Sequence, residues 1–404
     1  MVSTLTWLDY SEHDRRTMQD AIDLLRERTT RDELGIGSIR DAFADMLFPG
    51  TTTIQTVAKY FLLVPWMYLQ LEKKRISSKD IAEKARRFEF KLAESLKGAK
   101  GTIGRRAGEK LQRLASNVYW QGLLRWEIRV FPGSQDAYHR SLDRFYRLRN
   151  GRAADSAEFD GEGGGGGGHH NWHANLAAAE QGFPENASLK LTRREADYLR
   201  ERILTSCPDS LLAAILRQQI SVDGIGFAWH LDIELPEKLA ERLQHAQNFS
   251  EVMHGAQLLY NLILAEMTAI QSRIADYRER LEAWRTLIES HSSQLNSWDR
   301  SRFWATVAQQ NPRVTPGAKS FVNDWIDLVL SANSLADIAN SANACELIKD
   351  REFRIKRSLA RTSNKRARDL WGGAAGSEQL DLRWRTSQRI LADILQGLEV
   401  NDNA

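Results

Sequence analysis

Apolar and polar positions along this chain follow the period of a helix far more often than that of a strand. Behind Ser11, the stretch EHDRRTMQDAIDLLRER spaces Met18, Ile22 and Leu25 by four and three, one face of an amphipathic helix. LTRREADYLRERIL opens with Thr192 and Glu195 at capping-box spacing. Ser250 stands where a cap would open a long helix from Glu251 to about Ser290. Its expected core positions are Met253, Leu259, Leu262, Ile263, Ile270, Ile274, Leu281 and Trp284. Strand signals are confined to GIGFAWHLDIEL (Gly224 to Leu235) and RWEIRVF (Arg125 to Phe131). The expected fold is mainly α, a multi-helix, two-part architecture with at most a small β-hairpin.

The pattern is interrupted most sharply at NGRAADSAEFDGEGGGGGGHHNWHANL, residues 150–176, where six glycines follow one another from Gly163 to Gly168. Such a run costs too much backbone entropy for the interior of an element, so it predicts a flexible linker or long loop. The implied division is an N-terminal helical domain over 1–149, a linker over 150–174 and a C-terminal helical domain over 175–404. The longest apolar run, YFLLVPWMYLQL (Tyr60 to Leu71), is 12 residues with Pro65 inside it. A membrane-spanning helix needs ~20, so this segment is expected in the core.

Composition adds a compartment. Hydrophobic residues make up 42% and charged residues 27%, which suits a soluble globular protein. The opening MVSTLTWLDYSEHDRR lacks the basic and apolar regions of a signal peptide. Cys207 and Cys345 build no disulfide framework and neither lies in a CxxC, so a cytoplasmic location is expected.

Charge changes the picture more. The net charge is +3, yet residues 97–113 hold six cations against Glu109, and residues 351–368 hold eight against Glu352. Those windows carry twelve net positive charges between them, so the remainder of the chain is acidic. Such concentration favours a polyanionic partner, DNA or RNA. In the first window Lys100, Arg105, Arg106, Lys110 and Arg113 lie among Gly98, Gly101, Gly104 and Gly108. A phosphate-binding P-loop is not formed: Lys110 follows Glu109, Leu111 holds the hydroxyl position, and no buried strand precedes it. Instead GRRAGEKLQRLA reads as a basic helix, Ser116 as a cap and VYWQGLLRWEI as a second helix, together a helix–turn–helix-like segment. Val118, Leu123 and Leu124 in that second helix also suit a core.

The second window, DREFRIKRSLARTSNKRARDLWGG, repeats cations every three or four residues: Arg351, Arg354, Arg357, Arg361, Lys365 and Arg368. On one helix they fall within an arc of about 120°. Phe353, Ile355, Leu359, Ala367 and Leu370 lie opposite, with Lys356 and Arg366 among them. Acids flank the stripe only at Asp350 and Asp369, so its middle is free to face phosphates, sequence-neutrally and with strong salt dependence. Arg383 and Arg385 follow, flanking Trp384, which suits base stacking or the core.

Chemistry is scarce. His169, His170 and His173 form HHxxH on the glycine linker without a second ligand cluster, and Glu251 with His254 is a lone ExxH. Glu89-x-Lys91 lacks the partner aspartate of a nuclease, and neither HExxH nor GxSxG occurs. No catalytic residue, metal or cofactor is expected.

Three stretches carry a likeness. TRDELGIGSIRDAFADMLFPGTTTIQTVAKYFLLVPWMY (Thr30 to Tyr68), IGRRAGEKLQRLASNVYWQGL (Ile103 to Leu123) and LWGGAAGSEQLDLRW (Leu370 to Trp384) resemble an uncharacterised bacterial family, domain of unknown function 6361. DAFADMLFPGTTTIQT is the most specific part. The resemblance implies arginines where Val57 and Lys59 stand, and a setting in phage-defence islands beside helicase-like or nuclease-like genes. It implies no activity. The combined expectation is a nucleic-acid-binding accessory subunit of a defence complex, with other defence proteins as partners. The alternatives are a scaffold that binds no nucleic acid and an unrecognised nuclease.

Overall fold

A computed structural model describes residues 32–103, 114–157, 170–331, 335 and 337–400. Those residues form fifteen α-helices and two 3-10 turns, with no strand. The fold is all-α. The helices begin with α1 (Gly37–Leu47), α2 (Tyr60–Lys73), α3 (Ile81–Ser95), α4 (Ala115–Arg125) and α5 (Gln135–Ala157). Next come α6 (Arg193–Ser206), α7 (Leu211–Gln218), α8 (Glu237–Thr268), α9 (Gln271–Ser290) and α10 (Ser292–Asn296). The last are α11 (Arg300–Gln310), α12 (Pro316–Leu330), α13 (Ala342–Lys356), α14 (Lys365–Asp369) and α15 (Trp384–Glu399). Neither strand signal becomes a ladder. Gly224–Leu235 folds around a 3-10 turn at Ala228–His230, and Arg129 makes a single antiparallel bridge to Trp172.

The chain packs as two units. The first is drawn from Met1–Phe43 and Gln244–Leu380, the second from Ala44–Leu243 and Asp381–Ala404. Both flanks of the glycine run therefore belong to the second unit, and the contacts divide the chain elsewhere than at 150–174.

The core of the second unit is α2. It is apolar on every side, the signature of a fully buried helix, and Tyr60 through Tyr68 are all buried. Phe61 stacks on Trp126 with ring centroids 3.8 Å apart, and the Trp126 indole donates to the Pro49 carbonyl at 2.8 Å. Gly50 allows that approach. It sits at φ +83°, and a Cβ there would lie 2.5 Å from the Trp126 ring. The expected capping box forms at α6, with the Thr192 hydroxyl and Glu195 carboxylate each accepting a backbone N–H. Glu195 also serves as counter-ion to Lys59, which is 0% exposed and donates to it at 2.7 Å and to Glu180 at 2.6 Å. Helix α15 packs against α6 and buries Trp384, Ile390, Leu391 and Ile394 completely.

In the first unit Phe43, Phe249 and Phe303 stack on one another, with centroids 5.6–6.2 Å apart. The helix expected from Glu251 to Ser290 is two. The first, α8, starts earlier, at Glu237, and Ser250 is buried within it, donating to the Leu380 carbonyl rather than capping. Ala269, at φ +55°, ends α8, and Ile270 is exposed at the turn instead of lying in the core. The segment LWGGAAGSEQL runs without regular structure along these helices. Asn261 holds it on both sides, donating to the Ala375 carbonyl at 2.9 Å and accepting from the Ala375 N–H at 2.8 Å.

Candidate nucleic-acid interface

The second basic window is not one helix. α13 ends at Lys356, Arg357 takes φ +51°, a 3-10 turn covers Arg357–Leu359, and α14 is only five residues long. The cause is the window's single acid. Glu352 is completely buried, and its carboxylate accepts from the N–H groups of Arg361 and Thr362, the Thr362 hydroxyl and the Tyr260 hydroxyl. A buried carboxylate requires such a set of donors, and gathering them folds the chain back.

The break sorts the cations. Arg351 is buried, donates to the carbonyls of Leu34 and Gly35, and lies over the Phe321 ring. Lys356 and Arg361 both pair with the buried Glu33, Arg361 at 2.7 Å. Arg368 donates to the carbonyls of Arg361 and Thr362. Arg354, Arg357, Lys365 and Arg366 remain exposed, with no carboxylate partner among the described residues. Farther along, Arg383 pairs with Asp45 at 2.5 Å, while Arg385 is exposed and 4.0 Å from Asp381. Trp384 is core, its indole donating to the Ile225 carbonyl.

Of the first window, Lys100 is exposed; Arg105, Arg106, Lys110 and Arg113 lie outside the described residues. The helix expected to follow is α4, a core helix, with Val118, Tyr119, Trp120 and Leu123 buried. Ser116 is not its cap. The hydroxyl and N–H of Ser116 donate to Glu89, a buried carboxyl that desolvation pushes up to about 7 against those bonds. With Ser116 at 0% exposed and Lys91 paired to Glu185, the Glu89-x-Lys91 spacing has no nuclease geometry.

A third basic cluster emerges only in three dimensions. The end of α2 and the turn after it carry Lys73, Lys74, Arg75 and Lys79. The turn is fastened along α5: the Ser78 N–H donates to Asp143, its hydroxyl to the Arg140 carbonyl, and Arg75 to Asn150. On α5, Arg140, Arg144 and Arg147 follow at intervals of four and three, a single outward face. All seven cations are exposed, and none pairs with a carboxylate among the described residues. Beside them the Tyr146 hydroxyl is buried without a hydrogen-bond partner. Burial pushes it up to about 12, helped by Glu72, while Arg149 and Arg75 pull the other way. The sequence held one signal, KKR and RxxxRxxR at the two sites, but neither is dense enough to stand out alone.

The model of the Family of unknown function (DUF6361) matches residues 2–397. The chain belongs to that family. No curated protein and no solved structure matches it. In this DUF6361 protein Phe43, Phe61, Tyr119 and Trp384, from the stretches that carried the likeness, are core residues. Val57 lies against Gly101, and Lys59 is consumed by the buried Glu195 and the half-buried Glu180, so neither position presents a free charge.

Among the described residues no group of three His, Cys, Asp or Glu is placed to hold a metal ion. His173 accepts from or donates to Tyr198, His170 is exposed, and His169 lies outside the described residues. Glu251 and His254 turn to different partners: Glu251 to His291 at 2.8 Å, His254 to the Ser377 carbonyl, with burial pushing the imidazole down to about 4. No described helix is long and apolar enough to cross a membrane.

Proposed function

We propose that this DUF6361 protein is a nucleic-acid-binding accessory subunit. Its phosphate-contacting surface is the Lys73–Lys79 segment together with the Arg140, Arg144 and Arg147 face of α5. One observation carries this reading: seven exposed cations gather from two distant segments, and the acids next to them in sequence, Asp80 and Asp143, pair with none of them. Both acids are already engaged, Asp80 with Ser77 and Asp143 with Ser78. Solvated helix faces usually interleave opposite charges in near balance; a face where cations this far outnumber the acids suits a polyanion, whose phosphates take charge and carry no base identity. Lys100 adds a further exposed cation in the same unit. The family likeness supports the setting: a cytoplasmic, bacterial, phage-defence role in which another subunit supplies any chemistry.

Fluorescence anisotropy with labelled duplex DNA and RNA tests it. Binding is expected at low salt with little sequence preference, and reversing Arg140, Arg144 and Arg147 to Glu is expected to weaken it at least 100-fold. A flat signal at 50 mM salt (~30-fold excess of protein), or an unchanged affinity in the triple variant, overturns the reading.

A further inference from the structure

The basic segment of the first unit differs from the phosphate surface in one respect: its exposed cations stand among exposed apolar side chains. Leu370 is 83% exposed, Leu359 70% and Phe353 49%. Large apolar side chains exposed singly need no explanation, but a contiguous group marks an interaction site. Hydrogen bonds hold this group together. Arg368 reaches Met267 and the carbonyls of Arg361 and Thr362, and Glu352, next to Phe353, accepts from those same two residues. Gly373 lies against Arg273, so Leu370 sits between two attachments to the α8–α9 turn, where Met267 and Ile270 are each 42% exposed.

We propose that residues 353–370, with Met267 and Ile270, form a docking surface for an acidic amphipathic segment of a partner protein. Charge complementarity identifies the occupant: Arg354, Arg357, Lys365 and Arg366 alternate along the segment with its exposed apolar residues, are themselves exposed and have no carboxylate partner among the described residues. A helix with an apolar stripe and acidic edges satisfies both features at once. Nucleic acid satisfies the charge and, of the apolar side chains, only the Phe353 ring; Leu359 and Leu370, the two most exposed, offer neither a phosphate nor a base a partner. An anionic lipid surface would meet the exposed carboxylates of Asp350 and Asp369 at the two ends of the segment, which a single docked helix avoids. The surface is independent of the phosphate-contacting one, which lies in the other unit.

The test uses the full chain and a labelled helical peptide with leucines on one face and glutamates beside them. A scrambled peptide of the same composition and vesicles containing phosphatidylserine serve as comparisons. The amphipathic peptide is expected to bind at least tenfold more tightly than the scrambled one. Leu359→Ser with Leu370→Ser, and separately Arg354→Glu with Arg357→Glu, are each expected to weaken it at least tenfold without changing the circular dichroism spectrum. The Arg140, Arg144 and Arg147 reversal is expected to leave peptide binding unaltered, which separates this proposal from the nucleic-acid reading. Equal binding of both peptides, preference for vesicles through the same residues, or no binding overturns it.

Discussion

Arg75 occupies the left-handed position that ends α2, where a positive charge suits the helix end but a residue other than glycine is unusual. Its φ is +52°, its N–H donates to the Glu72 carbonyl, and the Ile76 N–H reaches back to Leu71. That is a Schellman ending, for which glycine is the usual residue. A left-handed L-residue costs roughly 1–2 kcal/mol, which the exposed bond from Arg75 to Asn150 and the charge at the helix end offset only in part. Arg75→Gly is therefore expected to leave stability unchanged or raise it by about 1 kcal/mol, while lowering duplex affinity. Urea denaturation and anisotropy on one preparation check both; parallel loss of stability and affinity would make Arg75 merely structural. Glu89 offers a pH test. Its carboxyl is raised from 4.5 to about 7 by burial, so the folded state holds the proton more tightly than the unfolded one. Stability from this group is present below pH ~4.5 and is lost as pH rises to about 7. Glu89→Gln, which stays neutral, should flatten that part of the melting temperature profile; an identical profile would show that Glu89 is charged throughout. Local rules read correctly where both partners are near in sequence, as at Thr192 and Glu195. They misread Ser116 and Ser250, whose hydroxyls serve tertiary partners, Glu89 and the Leu380 carbonyl, that no local pattern reveals.

At the scale of elements, the helical period was legible and the ends were not. The stripe at 351–368 has helical spacing, but Glu352 draws Arg361 and Thr362 onto itself and the stripe separates into inward and outward cations. Arg351, Lys356 and Arg361 became internal counter-charges and hydrogen-bond donors, a fate that spacing cannot distinguish from exposure. The opposite error concealed the α5 face, because Arg140, Arg144 and Arg147 gain their neighbours from a turn 62 residues away, through Ser78. A surface of this kind predicts a particular salt dependence. With about seven phosphates neutralised, log affinity should fall with log salt at a slope near −6. The Arg140, Arg144 and Arg147 reversal should reduce the slope by about 3. Titration between 50 and 200 mM salt (a loss of about 10³-fold in the parent chain) checks it, and a slope near −1 would mean that the face holds at most one phosphate.

At the scale of the whole molecule, the glycine run drew the expected division because it is conspicuous in one dimension, whereas contacts assign both its flanks to a single unit. What completes that unit is α15, close to the far end of the chain. It buries Trp384, Ile390, Leu391 and Ile394 completely, the Trp384 indole donates to Ile225, and Asp393 accepts the Ala58 N–H at 2.8 Å, near the start of α2. Each such side chain contributes about 1.5–3 kcal/mol by burial, so the four together rival the ~5–15 kcal/mol that holds an ordinary domain folded. None of the seven cations of the proposed phosphate surface lies in this segment. A chain ending at Leu380 is thus expected to lose duplex binding although every phosphate-contacting residue is retained, because the turn and the α5 face need a folded second unit to meet. The first unit contains none of the removed residues and should keep its own unfolding transition and its affinity for the acidic peptide. Limited proteolysis and thermal unfolding of the shortened chain, with both ligands titrated, separate the two units' behaviour. If the shortened chain binds duplex as tightly as the parent, α15 is dispensable and the second unit is held together by the remaining helices alone.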